Sequence, residues 1–450
     1  MVDVTSLRER VSGPVLTPDD PGFADEIKSW LLNYSHTPDV VVGATSAEDV
    51  VEAVKFAVAN ALPVRAQATG HGADTPITDG LLITTKRLDS LAIDEKSRLA
   101  TIGAGLEWAR VVAATAPLGL APITGSSGTV GAVGFLLGGG LGPLVRSHGF
   151  GSDWVRGFQL VTRDGDLVRA DSRENTDLFW ALRGGKGGFG VVTEVTVELA
   201  QLATVYGGSL TFDAPDIDAA LRAWATYTET ADPRVSTSVA ITRVPDLPFV
   251  PEIVRGRTLL ALRFAYPGDA KIGEKLAAPL RGAAPVYIDA LAEISVGQMD
   301  SIHSDPPNPS VGWVRARMLS GLDEGLVGTV LDFAGADRAF PFVALEMRHL
   351  GPASATDVPG GSAVSGRAAK ATLALVGAPN PDLFETVIPQ VAEAFWGAVT
   401  PWLDAENNVN FAAPFASKGA YESIWPSDVF ARLSTIRKQY DPRGTFVYGL

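Results

Sequence analysis

Eight of the eighteen residues from Gly125 to Gly142 are glycine, and no other feature of the chain constrains its fold as tightly. Glycine lacks a Cβ and tolerates positive φ, so such a run lets backbone N–H groups converge on one concavity. Gly125, Gly128, Gly131 and Gly134 recur every third residue, and Gly138, Gly139, Gly140 and Gly142 follow. A second cluster puts five glycines in the seven residues Gly184 to Gly190. Two readings fit the larger run. It is either a cradle for a diphosphate and a flat ring, or a set of tight turns with no ligand.

Nucleotide motifs of other kinds are excluded by context. Gly185-Lys186-Gly187-Gly188-Phe189-Gly190 matches G-x-G-x-x-G formally, but that fingerprint must follow a strand and open a helix. Here a helical Leu178–Leu182 precedes it and a strand follows. Lys186 is followed by glycine rather than Ser or Thr, so it is no P-loop.

Composition narrows the chemistry further. The 450 residues, length for about three units of ~150, include no cysteine, which removes disulfides, thiolate nucleophiles and cysteine metal sites. The five histidines show no metal-ligand spacing, so no metal is expected. A net charge of −14 without basic runs argues against nucleic acid. No stretch of 18 apolar residues predicts a membrane span. Met1–Arg10 has no apolar signal core, and a cytoplasmic enzyme is the expectation. Oligomeric state is not legible.

Along the chain, a helix is predicted around Ala24–Leu32 and a short strand at Val40–Val42. Ser46 caps a helix with Asp49 as its capping-box partner, and Val50, Val51, Val54 and Val58 form the apolar face. The strand Val64–Ala66 runs into Gln67-Ala68-Thr69-Gly70-His71-Gly72. Strands follow at Leu81–Thr84, Ser90–Asp94 and Ala100–Gly103, then a helix from Glu107 to about Ala114. Asp164-Gly165 turns a hairpin between Gly157–Thr162 and Asp166–Ala170. Asp177–Leu182 is helical and Val191–Glu198 is a strand. From about Ala203 strands such as Trp313–Met318 and Val343–His349 alternate with helices such as Asp216–Thr228 and Asp382–Phe395, the latter bent at Pro389. Val429–Lys438 is helical.

His71 ends a glycine-bearing loop after a strand. It reads either as a hydrogen-bonded loop residue or, beside the glycine run, as a nucleophile for the activated methyl group of a bound flavin.

Taken together these residues resemble the FAD-linked oxidase family of vanillyl-alcohol oxidase and p-cresol methylhydroxylase, in its berberine-bridge-enzyme and 6-hydroxy-D-nicotine-oxidase branch. The resemblance runs through Val64–Gly72, Gly125–Gly142, Asp177–Arg183, Gly190–Thr193 and Arg437–Pro442. It implies an α+β fold: a two-subdomain, PCMH-type FAD-binding domain and a substrate domain whose antiparallel sheet is covered by helices. The implied boundaries are 1–202 for the first domain (core about 36–202), 203–410 for the second, and a tail of 411–450 returning to the first.

By the same resemblance FAD is held by Gln67, Ala68, Thr69, Gly70, His71, Gly125, Ser127, Gly128, Thr129, Val130, Gly131, Gly134, Gly138, Val192 and Asn410. His71 aligns with the histidine that carries flavin covalently through its 8α-methyl carbon. Ser127 stands where doubly tethered relatives have cysteine, so a second, cysteinyl bond is excluded. Gln67-Ala68-Thr69 departs from the family's Arg-Ser-Gly. Val130 matches a position where valine accompanies oxygen reactivity.

The implied reaction moves hydride from a C–OH or C–N centre of a small organic molecule to flavin, with O2 as acceptor and hydrogen peroxide as product. Candidate catalytic residues are Glu346 and Arg348, on one face of the strand Val343–His349, and His303 with Asp305 in a proline-bounded loop. Each has a structural alternative, a solvated strand face or a loop contact. Ala344 and Arg348 replace residues of the nicotine-oxidase branch, and Asn408 replaces the tyrosine base of alcohol-oxidising relatives. A cyclase or isomerase without net O2 use is the alternative activity, and a flavin-binding protein without catalysis a third.

Overall fold

The computed structural model describes residues 2–248, 250–412 and 417–447. Parts of the expected 411–450 tail, residues 413–416 and 448–450, lie outside the described residues. The chain builds three main sheets around two large hydrophobic cores.

In the first sheet β1 (Val40–Gly43) leads through α1 (Ala47–Ala59) to β2 (Val64–Gln67), and β3 (Leu81–Thr84) inserts between them. Both β1 and β2 pair with β3 in parallel. All of β1 and β3 is buried, which accounts for their unbroken apolar runs. A second sheet is antiparallel and contains β4 (Leu91–Asp94) and β5 (Leu99–Gly103). Beyond α2 (Trp108–Thr115) and α3 (Ala132–Leu137), it continues with the hairpin β6 (Val155–Val161) and β7 (Leu167–Asp171). After α4 (Thr176–Leu182), β8 (Val191–Glu198) completes the order β4-β5-β8-β6-β7.

The third sheet starts at β9 (Thr204–Asp213). It contains, with intervening helices, β10 (Ser236–Arg243), β11 (Thr258–Tyr266), β12 (Val314–Leu319), β13 (Phe342–His349) and β14 (Ala371–Gly377). These six strands lie in the order β9-β11-β10-β13-β14-β12, and every pairing among them is antiparallel. One face is a row-by-row apolar surface: Leu210, Leu262, Val239, Met347 and Leu373 stand opposite one another on consecutive strands. That face packs with Leu221 and Trp224 of one helix (Ile217–Thr230) and Leu326 and Val330 of another (Glu324–Ala334).

The C-terminal helix Ser427–Tyr440 contributes Leu433 and Ile436 to the first core, and Phe446 bridges Val64 in parallel. Among the described residues no helix is long and apolar enough to cross a membrane.

Two local expectations are corrected. Helix Ala24–Leu32 is only Phe23–Glu26, because Trp30 N–H is drawn to Thr69 O (2.8 Å) and Leu31 bridges Ser310. Asp382–Phe395 is two helices, Pro381–Phe384 and Val387–Ala398, rather than one bent at Pro389. Pro389 falls in the first turn of the second helix, where its missing N–H costs nothing.

Candidate functional site

The loop after β2 and the glycine run meet at His71. Its Nε2 lies 2.9 Å from the Thr129 hydroxyl, which in turn lies 2.9 Å from the Ser127 hydroxyl. Its ring stacks on Trp30 at 4.1 Å between centroids, with 20° between the planes. Burial takes its pKa down to about 4, against a smaller opposing effect of Thr129, so the imidazole is neutral at physiological pH. The loop is braced from below. Ile77 N–H donates to His36 Nδ1, which leaves His36 Nε2–H to donate to Ser29 Oγ, and Ser29 Oγ donates to Gln67 Oε1 (2.8 Å). The Gln67 side chain is therefore spent on Ser29 and Ile27, whose carbonyl accepts from its Nε2, rather than on the loop's concave side.

The glycines divide into two kinds. Gly125 is crowded by the Phe135 ring, Gly128 by Ala109 and Gly138 by the Asn410 amide, so packing within the chain already demands them. Gly131 stands opposite Ala68 and Thr69. A Cβ at Gly72 or Gly134, by contrast, would meet nothing within 4 Å among the described residues. Main-chain bonds from Trp108 N to Val130 O and from Ala109 N to Gly128 O fix the run against α2. Val192 lies buried in β8, paired with Leu160.

Asn410 and Lys186 close the far end of the run. Lys186 Nζ donates to Gly134 O (3.0 Å) and Asn410 Oδ1 (2.7 Å), while Asn410 Nδ2 donates to Phe135 O. Burial lowers the Lys186 pKa to about 8, partly offset by Asp74, whose own carboxyl is pushed up by burial. Lys186 sits at φ 65°, a left-handed conformation uncommon for a residue with a side chain. Sequence reasoning used Lys186 only to dismiss a P-loop.

The polar face of the third sheet meets the end of the glycine run at Gly142. Ser209, Arg263, Ser238, Arg348 and Thr372 stand opposite one another across β9, β11, β10, β13 and β14. In the next row Ala261, Ala240, Glu346 and Ala374 stand opposite one another. The alanines let Arg263 reach across β10 to Glu346, with which it pairs directly. Arg348 holds the other carboxylate oxygen at 2.8 Å. Burial alone would raise the Glu346 pKa, but the charges of Arg348 and Arg263 outweigh it and keep the carboxylate ionised.

His303 Nε2 is 4.0 Å from Glu346, its side chain is 5% exposed, and neither ring nitrogen has a hydrogen-bond partner among the described residues. Burial and the two guanidiniums hold its pKa well below the usual value. Asp305 joins this group to the glycine run by accepting from Ser126 Oγ at 2.6 Å. Glu346, Arg348 and His303 thus come together. Sequence reasoning missed Arg263 and Ser238, although a lone arginine among Leu260, Leu262 and Phe264 is a visible signal of a polar strand face.

A family model described as an FAD binding domain matches residues 38–171. Over nearly its full length the chain is similar to the (R)-6-hydroxynicotine oxidase of Paenarthrobacter nicotinovorans, at 26% identity over 97% of this chain and 95% of that one. Residues 38–171 thus match an FAD binding domain, and the chain as a whole is similar to FAD-linked oxidoreductases. A Bacillus subtilis FAD-linked oxidoreductase is 31% identical over 52% of this chain, a match spanning about half (53%) of that relative's length. The chain shares its α+β fold with BBE-like 1 of Physcomitrella patens, at a TM-score of 0.84 and 17% identity over 99% of this chain and 98% of that one.

Proposed function

We propose that this protein is an oxidase that removes hydride from a C–OH carbon of a small organic substrate. FAD would be attached through His71 alone. The observation that carries this reading is His71: a neutral imidazole, stacked on Trp30 and oriented by Thr129, at the edge of a glycine run with open space beside Gly134 and Gly72. Those open glycines fit a flat cofactor laid on the main chain, and packing within the protein does not require them. Ala68, Thr69, Gly70, Gly131, Gly134 and Asn410 would hold it. FAD held there would supply two-electron redox chemistry, with the substrate as hydride donor and O2 as the final acceptor.

If Thr129 accepts the Nε2 proton of His71, the Nδ1 lone pair is left for the flavin's 8α-methyl carbon. With no cysteine in the chain there is no second tether. His303 is the proton acceptor for the substrate hydroxyl on geometry: it lines the cavity and neither ring nitrogen has a partner among the described residues, and although burial and the guanidiniums make it a weak base, the hydroxyl becomes strongly acidic as hydride leaves its carbon. Both carboxylate oxygens of Glu346 are already held by Arg263 and Arg348. The same two guanidiniums disfavour a cationic amine and favour the alcohol.

Acid precipitation tests the attachment. Flavin should stay with wild-type protein and leave His71→Ala; release from wild type overturns the covalent link. His303→Gln should lower kcat ~10²–10⁴-fold with flavin content intact. An oxygen electrode tests the reaction class: turnover without O2 uptake or peroxide overturns the oxidase in favour of a cyclase or isomerase.

A further inference from the structure

The cavity between the polar sheet face and the glycine run is small, with about 20 Å³ open to a water-sized sphere, so it admits a polar head group rather than a whole substrate. Its lining includes Gly142, Ser238, Arg263, His303, Arg348 and His349. What stands out is the balance of donors and acceptors around it. Among the described residues, Ser238 Oγ, both nitrogens of His303 and Nδ1 of His349 are buried without a hydrogen-bond partner. His349 Nε2 accepts from the Arg146 guanidinium at 2.8 Å, so its Nδ1 carries the proton and is an unmet donor. Neutral His303 has one N–H as well, and Ser238 has its hydroxyl proton. Buried donors left unsatisfied cost ~1–3 kcal/mol each, so this arrangement calls for an acceptor.

The charges point the same way. Three guanidiniums, Arg146, Arg263 and Arg348, surround the cavity or stand directly behind its wall, against the carboxylates of Glu346 and Asp305. Arg146 is bonded to the carbonyls of Val235 and Leu350 and to His349, and the described residues give it no carboxylate partner. The Asp232 carboxylate acts on Arg146 only through its charge at a distance, so the guanidinium behind the cavity wall has no carboxylate in contact with it.

We infer that the cavity takes a carboxylate of the substrate, held by Arg263 and Arg348 with Ser238 and His349, and that the substrate is accordingly a hydroxy acid. A carboxylate supplies two oxygens in one plane and about four acceptor positions, which matches a pair of guanidinium forks and the unmet donors beside them. It also lets His303 use both nitrogens. Its N–H would donate to the carboxylate while its lone pair takes the hydroxyl proton. For turnover this inference rests on the flavin reading; for binding it does not.

Calorimetric titration of the purified, flavin-loaded protein with benzoate and propionate tests it, with benzamide, propionamide and benzylamine as controls. The acids should bind and the amides and the amine should not; amide or amine binding as tight as the acid overturns the site. Arg348→Gln should weaken benzoate ~10-fold or more, the loss of one charge-assisted hydrogen bond. Because that change also strips a partner from buried Glu346, two gentler variants accompany it. Glu346→Gln removes the competing negative charge and should tighten benzoate several-fold; Ser238→Ala should weaken it. Unchanged affinity in both overturns the proposal. Flavin content is read separately by absorbance. Benzoate binding to a preparation that never takes up flavin overturns the flavin reading alone, and a flavin-loaded protein indifferent to benzoate overturns the carboxylate site alone.

Discussion

Gly134 and Gly138, four residues apart, separate what packing requires from what a cofactor would require. A methyl group at Gly138 collides with the Asn410 amide, which bridges Phe135 O and Lys186, whereas a methyl at Gly134 points into open space inside the short helix α3. Gly134→Ala should therefore stabilise flavin-free protein by ~0.5–1 kcal/mol, the usual gain for replacing a helical glycine, while lowering flavin uptake. Gly138→Ala should cost ~1–3 kcal/mol even without flavin. Urea denaturation and the ratio of visible to ultraviolet absorbance read the two effects; undiminished flavin content in Gly134→Ala would remove the cradle. Glu26 gives the fold a defined response to acid. Burial would raise the pKa of Glu26, but hydrogen bonds from Arg87 and Thr84, with the charges of Lys86 and Arg87, bring it down to about 2 from 4.5. A depressed carboxyl stabilises the fold above its unfolded pKa and loses that contribution as pH falls through its folded one. The stability gap between wild type and Glu26→Gln should be ~3 kcal/mol at neutral pH and should close between about pH 4.5 and 2. A gap independent of pH refutes the assignment.

Elements with a strong period were legible, and side-chain destinations across elements were not. The alternation of β8 and the valine stripe of α1 announced themselves because each is satisfied locally, by one buried face. Ser46 does cap α1, accepting from Asp49 N–H at 3.2 Å. Asp49, expected to answer as the reciprocal partner of that cap, instead accepts from Ser12 N, Gly13 N, Thr45 N and Thr45 Oγ1. That N-terminal segment is more than 30 residues away in sequence, so no local pattern revealed it. The same limit hid Arg263. Its strand was marked only by apolar alternation, and its pairing with Glu346 depends on alanines of two other strands. Asp49→Ala would strand three backbone donors and one hydroxyl near α1. The expected loss is ~3 kcal/mol, read as a lower urea midpoint with an unchanged slope. A loss under ~1 kcal/mol would mean that water replaces the carboxylate.

For the whole molecule, the main question is how two separate cores are joined around one cavity. Polar side chains contribute to the join. Arg367 pairs with Asp153 at 2.5 Å, and Arg146, carried by the short helix Val145–His148 beside the glycine run, inserts into the third sheet's end through Val235 O, Leu350 O and His349. Burial lowers the Arg146 pKa to about 10, and it remains charged at neutral pH. This charge holds the sheet to the glycine run and places a guanidinium behind the cavity wall. A cooperative unit this size unfolds in one step only while such joints outweigh the independence of its cores. In Arg146→Met the methylene volume is largely kept, but two buried carbonyls lose their charged donor, a loss of ~3 kcal/mol at the joint. Scanning calorimetry should then resolve the transition of the 204–377 sheet at lower temperature, apart from that of the first core, whose flavin content should be unchanged. A single transition that shifts as one would show that Arg146 is an ordinary contributor to a common core.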